Sequence, residues 1–474
     1  MQNVCTDKRV AWMTGDGDAA SDERSSSGVR RHAGLRLTFY GDDFTGSTDV
    51  MEALENAGIS TVLFLTPPTP EALRSLPRIG AVGVAGVSRT WTPAEMDARL
   101  GAIIRGLREL GAPLFHYKIC STFDSSPRMG SIGRAADIVR REFPDRSIPL
   151  VVGVPQLGRY TAFGTLFATF GGEVYRLDRH PAMSVHPATP MHEADLRRVL
   201  AEQTALEVAL ISARDLDGDA GAVDRVLTAI EAAPDLVLVD VADHRQQRIL
   251  GEALVRIADR AVRDGVPRAI IGSSGIEYAL ASVSAASVAT QHSPGPATPT
   301  LAVVGSRAPA SAAQVAVALA ADFVDVGVVA VRLIADDDVR TAAAARAAEA
   351  IASGRHVVIH VGTETADVDG VELARALAAT ARAVVHRVAP RRLVVAGGDT
   401  SGYVAGALGI EAIRIVRSFT PGAPLCRVVA GDPAVVGMEL CLKGGQVGAP
   451  DYLVRLAALD GAVLDFPVIE TSRS

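Results

Sequence analysis

The residues best placed to do chemistry in this 474-residue chain stand where apolar runs give way to polar turns. Gly41-Asp42-Asp43-Phe44-Thr45-Gly46-Ser47-Thr48 follows the apolar run Leu35–Tyr40 and precedes a helical pattern over Asp49–Ala57, closed by Gly58. The turn comes close to a phosphate-cradling P-loop, which needs Lys after its second glycine. Here Ser47 stands in that place. Two adjacent carboxylates would also repel a polyphosphate, so Asp42 and Asp43 suit polyol hydroxyls, or a hydroxyl proton to be removed. The plainer alternative is a helix start capped by Asp and Thr.

A second polar turn, Cys120-Ser121-Thr122-Phe123-Asp124-Ser125-Ser126-Pro127, follows the apolar run ending at Ile119. Ser121, Thr122, Asp124 and Ser125 form a dense set of hydrogen-bond partners before the helix opened by Gly130-Ser131-Ile132-Gly133. Such a set suits a carboxylate or sugar hydroxyls at a helix N-terminus; an ordinary Ser/Thr-rich turn is the alternative. Arg159-Tyr160 falls in the loop after Val154, and Arg176–Pro181 and His186–Met191 read as one proline-rich extended loop. Arg159 and Arg179 are candidate bidentate partners for a carboxylate. His180, His186 and His192 match no zinc-site spacing, so they are expected to fix the loop through hydrogen bonds, and no metal site is expected.

Three glycine turns cluster late in the chain. Leu393–Ala396 runs into Gly397-Gly398-Asp399-Thr400-Ser401-Gly402 and a helical stretch through Leu408; Gly305-Ser306-Arg307 follows Leu301–Val304; Lys443-Gly444-Gly445-Gln446-Val447-Gly448 lies near the end. A strand, a glycine turn and a helix together aim backbone N–H groups and a positive helix end at an anion. One such turn often only reverses the chain. Three in one region favour a nucleotide phosphate site.

The elements that must position these turns alternate. Apolar runs at Thr61–Leu65, Ala81–Val87, Leu114–Ile119, Pro149–Val154, Leu236–Val241 and Ala269–Ile271 are interleaved with helical patterns such as Pro93–Leu110, Arg134–Glu142 and Ala222–Ala233. A second series has strands at Leu301–Val304, Val357–Val361 and Leu393–Val395, with helices near Ala310–Ala321 and Arg340–Ser353. The fold class is therefore α/β: two domains, each a mostly parallel sheet flanked by helices, with an active site in the interdomain cleft. The boundaries expected are a disordered extension over residues 1–34, a first domain over 35–285, a linker over 286–299 and a second domain over 300–474.

Composition narrows the function. A net charge of −7 with 4% aromatic residues lacks the basic field and stacking surfaces that nucleic-acid binding uses. Cys5, Cys120, Cys426 and Cys441 are too scattered for a disulfide framework and read as free thiols in a reducing compartment. No apolar run reaches membrane-spanning length and no secretory h-region opens the chain, so a cytoplasmic location is expected.

With these residues in view, the chain from about Leu35 onward resembles the four-carbon acid-sugar kinase family. The motifs that carry the likeness are Asp42-Asp43-Phe44-Thr45-Gly46, Ser121-Thr122-Phe123-Asp124-Ser125, His186-Pro187-Ala188-Thr189-Pro190-Met191, Gly397-Gly398-Asp399-Thr400-Ser401-Gly402, Pro421-Gly422-Ala423-Pro424 and Lys443-Gly444-Gly445. The resemblance implies acid-sugar binding by the first domain and ATP binding, with Mg²⁺ on the phosphates, by the second. It places ATP contacts at Ser306, Gly397, Gly398, Asp399, Thr400, Gly444 and Gly445. The chain departs from the family pattern in having Asp399 where Glu is usual, and Gly444-Gly445-Gln446 where Ser-Gly-Asn is usual. The Ser121–Ser125 form and its continuation through Gly133 look more like the branch acting on 3-oxo acid sugars, tilted towards 3-oxo-isoapionate over 3-oxo-tetronate. A threonate or erythronate kinase of the same family is the nearest alternative; a nicotinamide-dependent dehydrogenase and a non-catalytic sugar-acid sensor are more distant ones.

The expected reaction is phosphoryl transfer from ATP to a terminal hydroxyl, with Asp43 or Asp399 as the base or orienting carboxylate. Asp42, Asp43, Ser121, Thr122, Asp124, Ser125, Arg159 and Arg179 are expected to grip the acid sugar. No nucleic-acid or membrane partner is expected, and a homodimer is an allowed assembly.

Overall fold

The computed structural model describes residues 34–69, 72–73, 79–186, 189–217, 221–284, 299–362, 368–420 and 422–459. Nearly all of the expected extension and linker, together with Pro187, Ala188 and Pro421 of the motifs, lie outside the described residues. In chain order the strands are β1 (Leu37–Gly41), β2 (Thr61–Phe64), β3 (Ala81–Ala85), β4 (Leu114–Lys118), β5 (Ile148–Val151), β6 (Arg159–Ala162), β7 (Thr165–Phe170), β8 (Glu173–Arg176), β9 (Val208–Ile211), β10 (Leu236–Val239), β11 (Arg268–Gly272), β12 (Thr300–Val304), β13 (Val324–Val328), β14 (Val357–Val361), β15 (Arg392–Ala396), β16 (Ile410–Arg417), β17 (Leu425–Gly431) and β18 (Glu439–Lys443). The helices used below are α1 (Phe44–Asn56), α2 (Pro93–Glu109), α3 (Ile132–Glu142), α4 (Gly275–Val283), α5 (Pro309–Ala320), α6 (Gly370–Val388), α7 (Gly398–Ala407) and α8 (Tyr452–Ala457).

Two compact units form. One gathers residues up to Asp42, Ala53–Ser60 and Arg78–Ala289; the other gathers Asp43–Glu52, Thr61–Pro77 and Thr290–Ser474. The second unit thus takes the start of α1 and the β2 region from the N-terminal part of the chain.

In the first unit β3-β1-β4-β11-β5-β10-β9 run parallel. The central strands are buried along their whole length, as in LTFYG of β1 and LVLV of β10, because helices cover both faces of a parallel sheet. The helices carry their own start signals. Thr92 caps α2 in a reciprocal box with Glu95, Pro93 takes the first turn, and Ser131 caps α3. The chain leaves β1 for β3 on one side, then returns to β4 on the other. That reversal opens a crevice at the carboxyl ends of the strands, where open α/β sheets bind ligands.

The described residues between Pro181 and Met191 form turns and irregular chain as expected, but the loop placement of Arg159 and Arg176 does not hold. Arg159 begins β6 and Arg176 ends β8 of a small antiparallel sheet, β6-β7-β8. Short alternating strands joined by tight turns were masked in the sequence by the prolines that follow Arg179.

In the second unit β13-β14-β12-β15-β18 are parallel, and β17, β16 and β2 extend the sheet antiparallel. The sheet is therefore mixed on this side. Its switch lies between β12 and β15, with β14 and β13 on one side and β18 beyond β15 on the other. A buried cluster including Ala302, Val394, Cys441, Leu453 and Leu456 packs α5 and α8 against one face.

Candidate active site

Each unit carries one polar constellation at its own switch point. In the first, Asp42 follows β1, and its N–H continues the ladder to Lys118 O at 3.0 Å. Beyond β3 the chain stays paired: Gly86 N–H reaches Gly41 O at 2.8 Å and Arg89 N–H reaches Asp42 O at 3.0 Å. This holds the Arg89 side chain against Asp42, with Nη2 donating to Oδ1 at 2.8 Å and Nε to Oδ2 at 3.2 Å. Arg89 was missed in the sequence. It follows the apolar run Ala81–Val87, so the same strand-end rule used for the other turns would have found it.

The turn after β4 is tightly organised. Thr122 Oγ1 donates to Asp124 Oδ1 at 2.7 Å and lies 2.9 Å from Cys120 Sγ. Phe123 between them is fully buried with φ of 56°, a left-handed conformation that costs a bulky residue roughly 1–2 kcal/mol. Burial, reinforced by Asp124, pushes the Cys120 thiol up to about 11, so it stays protonated and is no nucleophile.

Ser125 donates to Gln203 Oε1 at 2.8 Å and accepts from Ile132 N–H at 2.9 Å, so its hydroxyl is engaged in starting α3. Gln203 also holds Ser131 and Gly133, a role with no sequence signal because its partners are some 70 residues away.

Arg159 points inward near Cys120 and Asp124, and burial lowers its affinity for the proton. Its Nη1 donates to Leu157 O and Gly158 O, while its buried Nε has no partner among the described residues. Arg179, in contrast, is exposed. His180 Nδ1 accepts from Ala182 and Met183 N–H, and His186 Nδ1 accepts from Thr189 N–H at 3.1 Å. These two histidines brace their loop as expected. Among the described residues no group of three His, Cys, Asp or Glu side chains could hold a metal ion.

In the second unit the three glycine turns meet at the ends of β12, β15 and β18. Gly305 and Ser306 N–H both donate to Ala396 O, and Gly397 N–H donates to Lys443 O at 2.9 Å. Gly397 adopts φ of 125°, open only to glycine, as the chain turns from β15 into α7. A Cβ on Gly445 would stand 2.0 Å from Ser306 Oγ, so the two turns approach too closely there for a side chain without a shift of Ser306. Ser311 of α5 donates to Gly445 O at 2.7 Å and Gln314 to Val447 O and Gly448 O. Gly398 and Asp399 are exposed in the first turn of α7, while Thr400 is buried.

Asp43 also belongs to this unit. Its Oδ1 accepts from Gly46 N–H at 2.9 Å, capping α1. Thr45, two residues on, lies beside Gly444. Asp42 and Asp43, adjacent in sequence, are thus sorted into different units.

Comparisons with known proteins divide the chain in the same order, with residues 43–52 and 61–77 counted in the first region although they pack with the second unit. Residues 37–280 match the family described as "Sugar-binding N-terminal domain" and residues 301–453 the one described as "Nucleotide-binding C-terminal domain". The chain is 42% identical to a 3-oxo-isoapionate kinase of Paraburkholderia graminis, covering 91% of this chain and 96% of that protein. It is 34% identical to a 3-oxo-tetronate kinase of Methylobacterium radiotolerans, covering 90% and 99%. A solved structure from Salmonella typhimurium LT2 shares the fold with a TM-score of 0.73 at 24% identity, over 89% of this chain and 98% of that one. The chain belongs to the four-carbon acid-sugar kinase family, with a sugar-binding and a nucleotide-binding domain in that order.

Proposed function

We propose that this kinase transfers the γ-phosphoryl group of ATP to the terminal hydroxyl of a small 3-oxo acid sugar, with 3-oxo-isoapionate the first candidate and 3-oxo-tetronate the second. One observation carries most weight: both units place their polar turns at a topological switch point, acidic and hydroxyl-rich in one, glycine-rich in the other. The order of preference follows the relatives' identities of 42% and 34%.

On the sugar side, the half-buried Arg159 brings a guanidinium whose Nε is a spare donor to the substrate carboxylate. Ser121, Thr122, Asp124 and the Arg89–Asp42 pair bind its oxygens. Ser125 acts by shaping the turn, and the exposed Arg179 contributes at most long-range charge. On the nucleotide side, Ser306, the Gly397–Thr400 turn and the Gly444–Gly445 turn receive the phosphates.

Asp43 is the preferred base or orienting carboxylate, because its helix start lies beside the Gly444 turn. Asp399 is the rival, exposed at the start of α7, where it suits a water-mediated contact to Mg²⁺. With no ready-made cluster of ligands among the described residues, Mg²⁺ would be held mainly by the phosphates and water, as is usual for that ion. It would neutralise charge on the transferring group. Residues 35–285 and 300–474 serve as the sugar and nucleotide domains, with residues 43–52 and 61–77 packing on the nucleotide unit.

The test is ADP release measured across four- and five-carbon acid sugars and their 3-oxo forms. The expected result is the highest kcat/KM with 3-oxo-isoapionate. Higher kcat/KM with threonate or erythronate would overturn the substrate assignment, and ATP-independent oxidation of the same acids would overturn the kinase.

A further inference from the structure

Lys443, at the end of β18, is fully buried. An ammonium has three donors. One goes to Gly444 O at 3.1 Å, and among the described residues no second acceptor and no carboxylate lies within bonding range of Nζ. The Tyr452 ring, 5.6 Å from Nζ, supplies only its π face. A buried cation with so little compensation is costly, so the fold is holding it there against its own stability.

The peptide geometry shows what this arrangement does. In a trans peptide the C=O and the following N–H point in opposite directions. The Gly444 carbonyl accepts from both Lys443 Nζ and Val447 N–H, each at 3.1 Å, so the Gly445 N–H is turned away from them. Ser311 draws in the Gly445 carbonyl and turns the Gln446 N–H outward in the same way. Neither N–H has a hydrogen-bond partner among the described residues. Two unpartnered N–H groups beside a buried positive charge are the kind of donors that bind an anion.

Building on the kinase function proposed above, we propose that Lys443 is a positioning residue of the nucleotide site: it orients the Gly444–Gly445 turn and supplies the buried charge that a nucleotide phosphate oxygen satisfies. Lys443 does not touch the reacting atoms. It acts through the turn and through its field.

A structural lysine and a nucleotide-linked one differ in proton linkage. Burial pulls Lys443 down to about 8, so a bound anion raises its proton affinity and ATP binding takes up a proton in weakly alkaline solution. Cys441 on β18 and the Tyr452 ring on α8 face it, while Glu52 on α1 and Arg392 on β15 act on those two groups. Burial pushes Cys441 up to about 12, Tyr452 well above its usual value, and Glu52 above the usual carboxylate range.

Calorimetric titration of the full chain with MgATP, in buffers of different ionisation enthalpy from about pH 7.5 to about pH 9.5, reads this directly, since the terminal phosphate, with its pKa near ~6, has finished titrating. The expected result is net proton uptake and several-fold weakening of ATP as pH rises. Both should be absent in Lys443→Met and kept in Glu52→Gln. ATP binding without proton uptake by the native protein, or uptake unchanged in Lys443→Met, overturns the role of Lys443 and leaves the kinase standing. No ATP binding at any pH overturns both.

Discussion

Arg89 holds Asp42 by both ends of the carboxylate, with hydrogen bonds of 2.8 and 3.2 Å, although the two residues are 47 positions apart. Asp42 is nearly buried and Arg89 keeps only part of its guanidinium in solvent. The pair ties the end of β1 to the end of β3 and fixes where the sugar-side acceptors point. Arg89→Met should lower kcat/KM for the acid sugar by roughly 10²-fold while leaving the Kd for ATP unchanged, and should destabilise the fold by about 2–4 kcal/mol as the buried Asp42 charge loses this two-point contact. Steady-state kinetics beside denaturant unfolding would check both. Unaltered acid-sugar kinetics would remove Arg89 from the site.

Asp43 separates capping from catalysis. Asn caps helices as well as Asp does, so Asp43→Asn should change stability by less than about 0.5 kcal/mol. Turnover should fall by at least ~10³-fold, with ATP binding by calorimetry intact. If turnover persists and Asp399→Asn abolishes it instead, the base is Asp399.

Gly445→Ala tests the nucleotide side. The new methyl would stand 2.0 Å from Ser306 Oγ and 2.9 Å from Ser306 Cβ, so Ser306 and the turn cannot both stay in place. ATP affinity should drop by about tenfold or more, while acid-sugar binding measured without ATP stays at the native level. Loss of both together would mean the change acts on the fold as a whole.

Lys443 sets a pH dependence of stability. Folding lowers its pKa from 10.5 to about 8, so between those values the unfolded chain holds a proton that the folded chain has lost. Native stability therefore rises with pH through that window, and the burial cost is fully present below it. Lys443→Met should be more stable than the native protein near neutral pH, on the order of 2–3 kcal/mol, with the advantage fading towards alkaline pH. Thermal unfolding at a series of pH values would show it; a variant less stable at every pH would contradict it.

Arg159, proposed as the sugar-side anchor, has a buried Nε with no hydrogen-bond partner among the described residues. Arg159→Lys keeps the charge but loses the planar fork, and should raise KM for the acid sugar by roughly 10–100-fold with kcat much less affected. Equal effects on the KM of ATP would argue against that assignment.

The sequence by itself determined the α/β class and the strand-end turns, because parallel strands must be apolar throughout and glycines and short polar residues must follow them. The apolar runs at Leu114, Leu236 and Leu301 are fully buried strands. The Gly397 turn opens a helix, as its composition required. Only tertiary structure decided which side chains meet. Arg89 reaches Asp42, and Gln203 reaches Ser125, through pairing between strands and helices far apart in the chain, to which local periodicity is blind. The small sheet carrying Arg159 was hidden because its short strands sit beside prolines. Tertiary packing also assigned Asp42 to one unit and Asp43 to the other. Their identical side chains could not record that, because membership of a unit is set by what each backbone segment packs against.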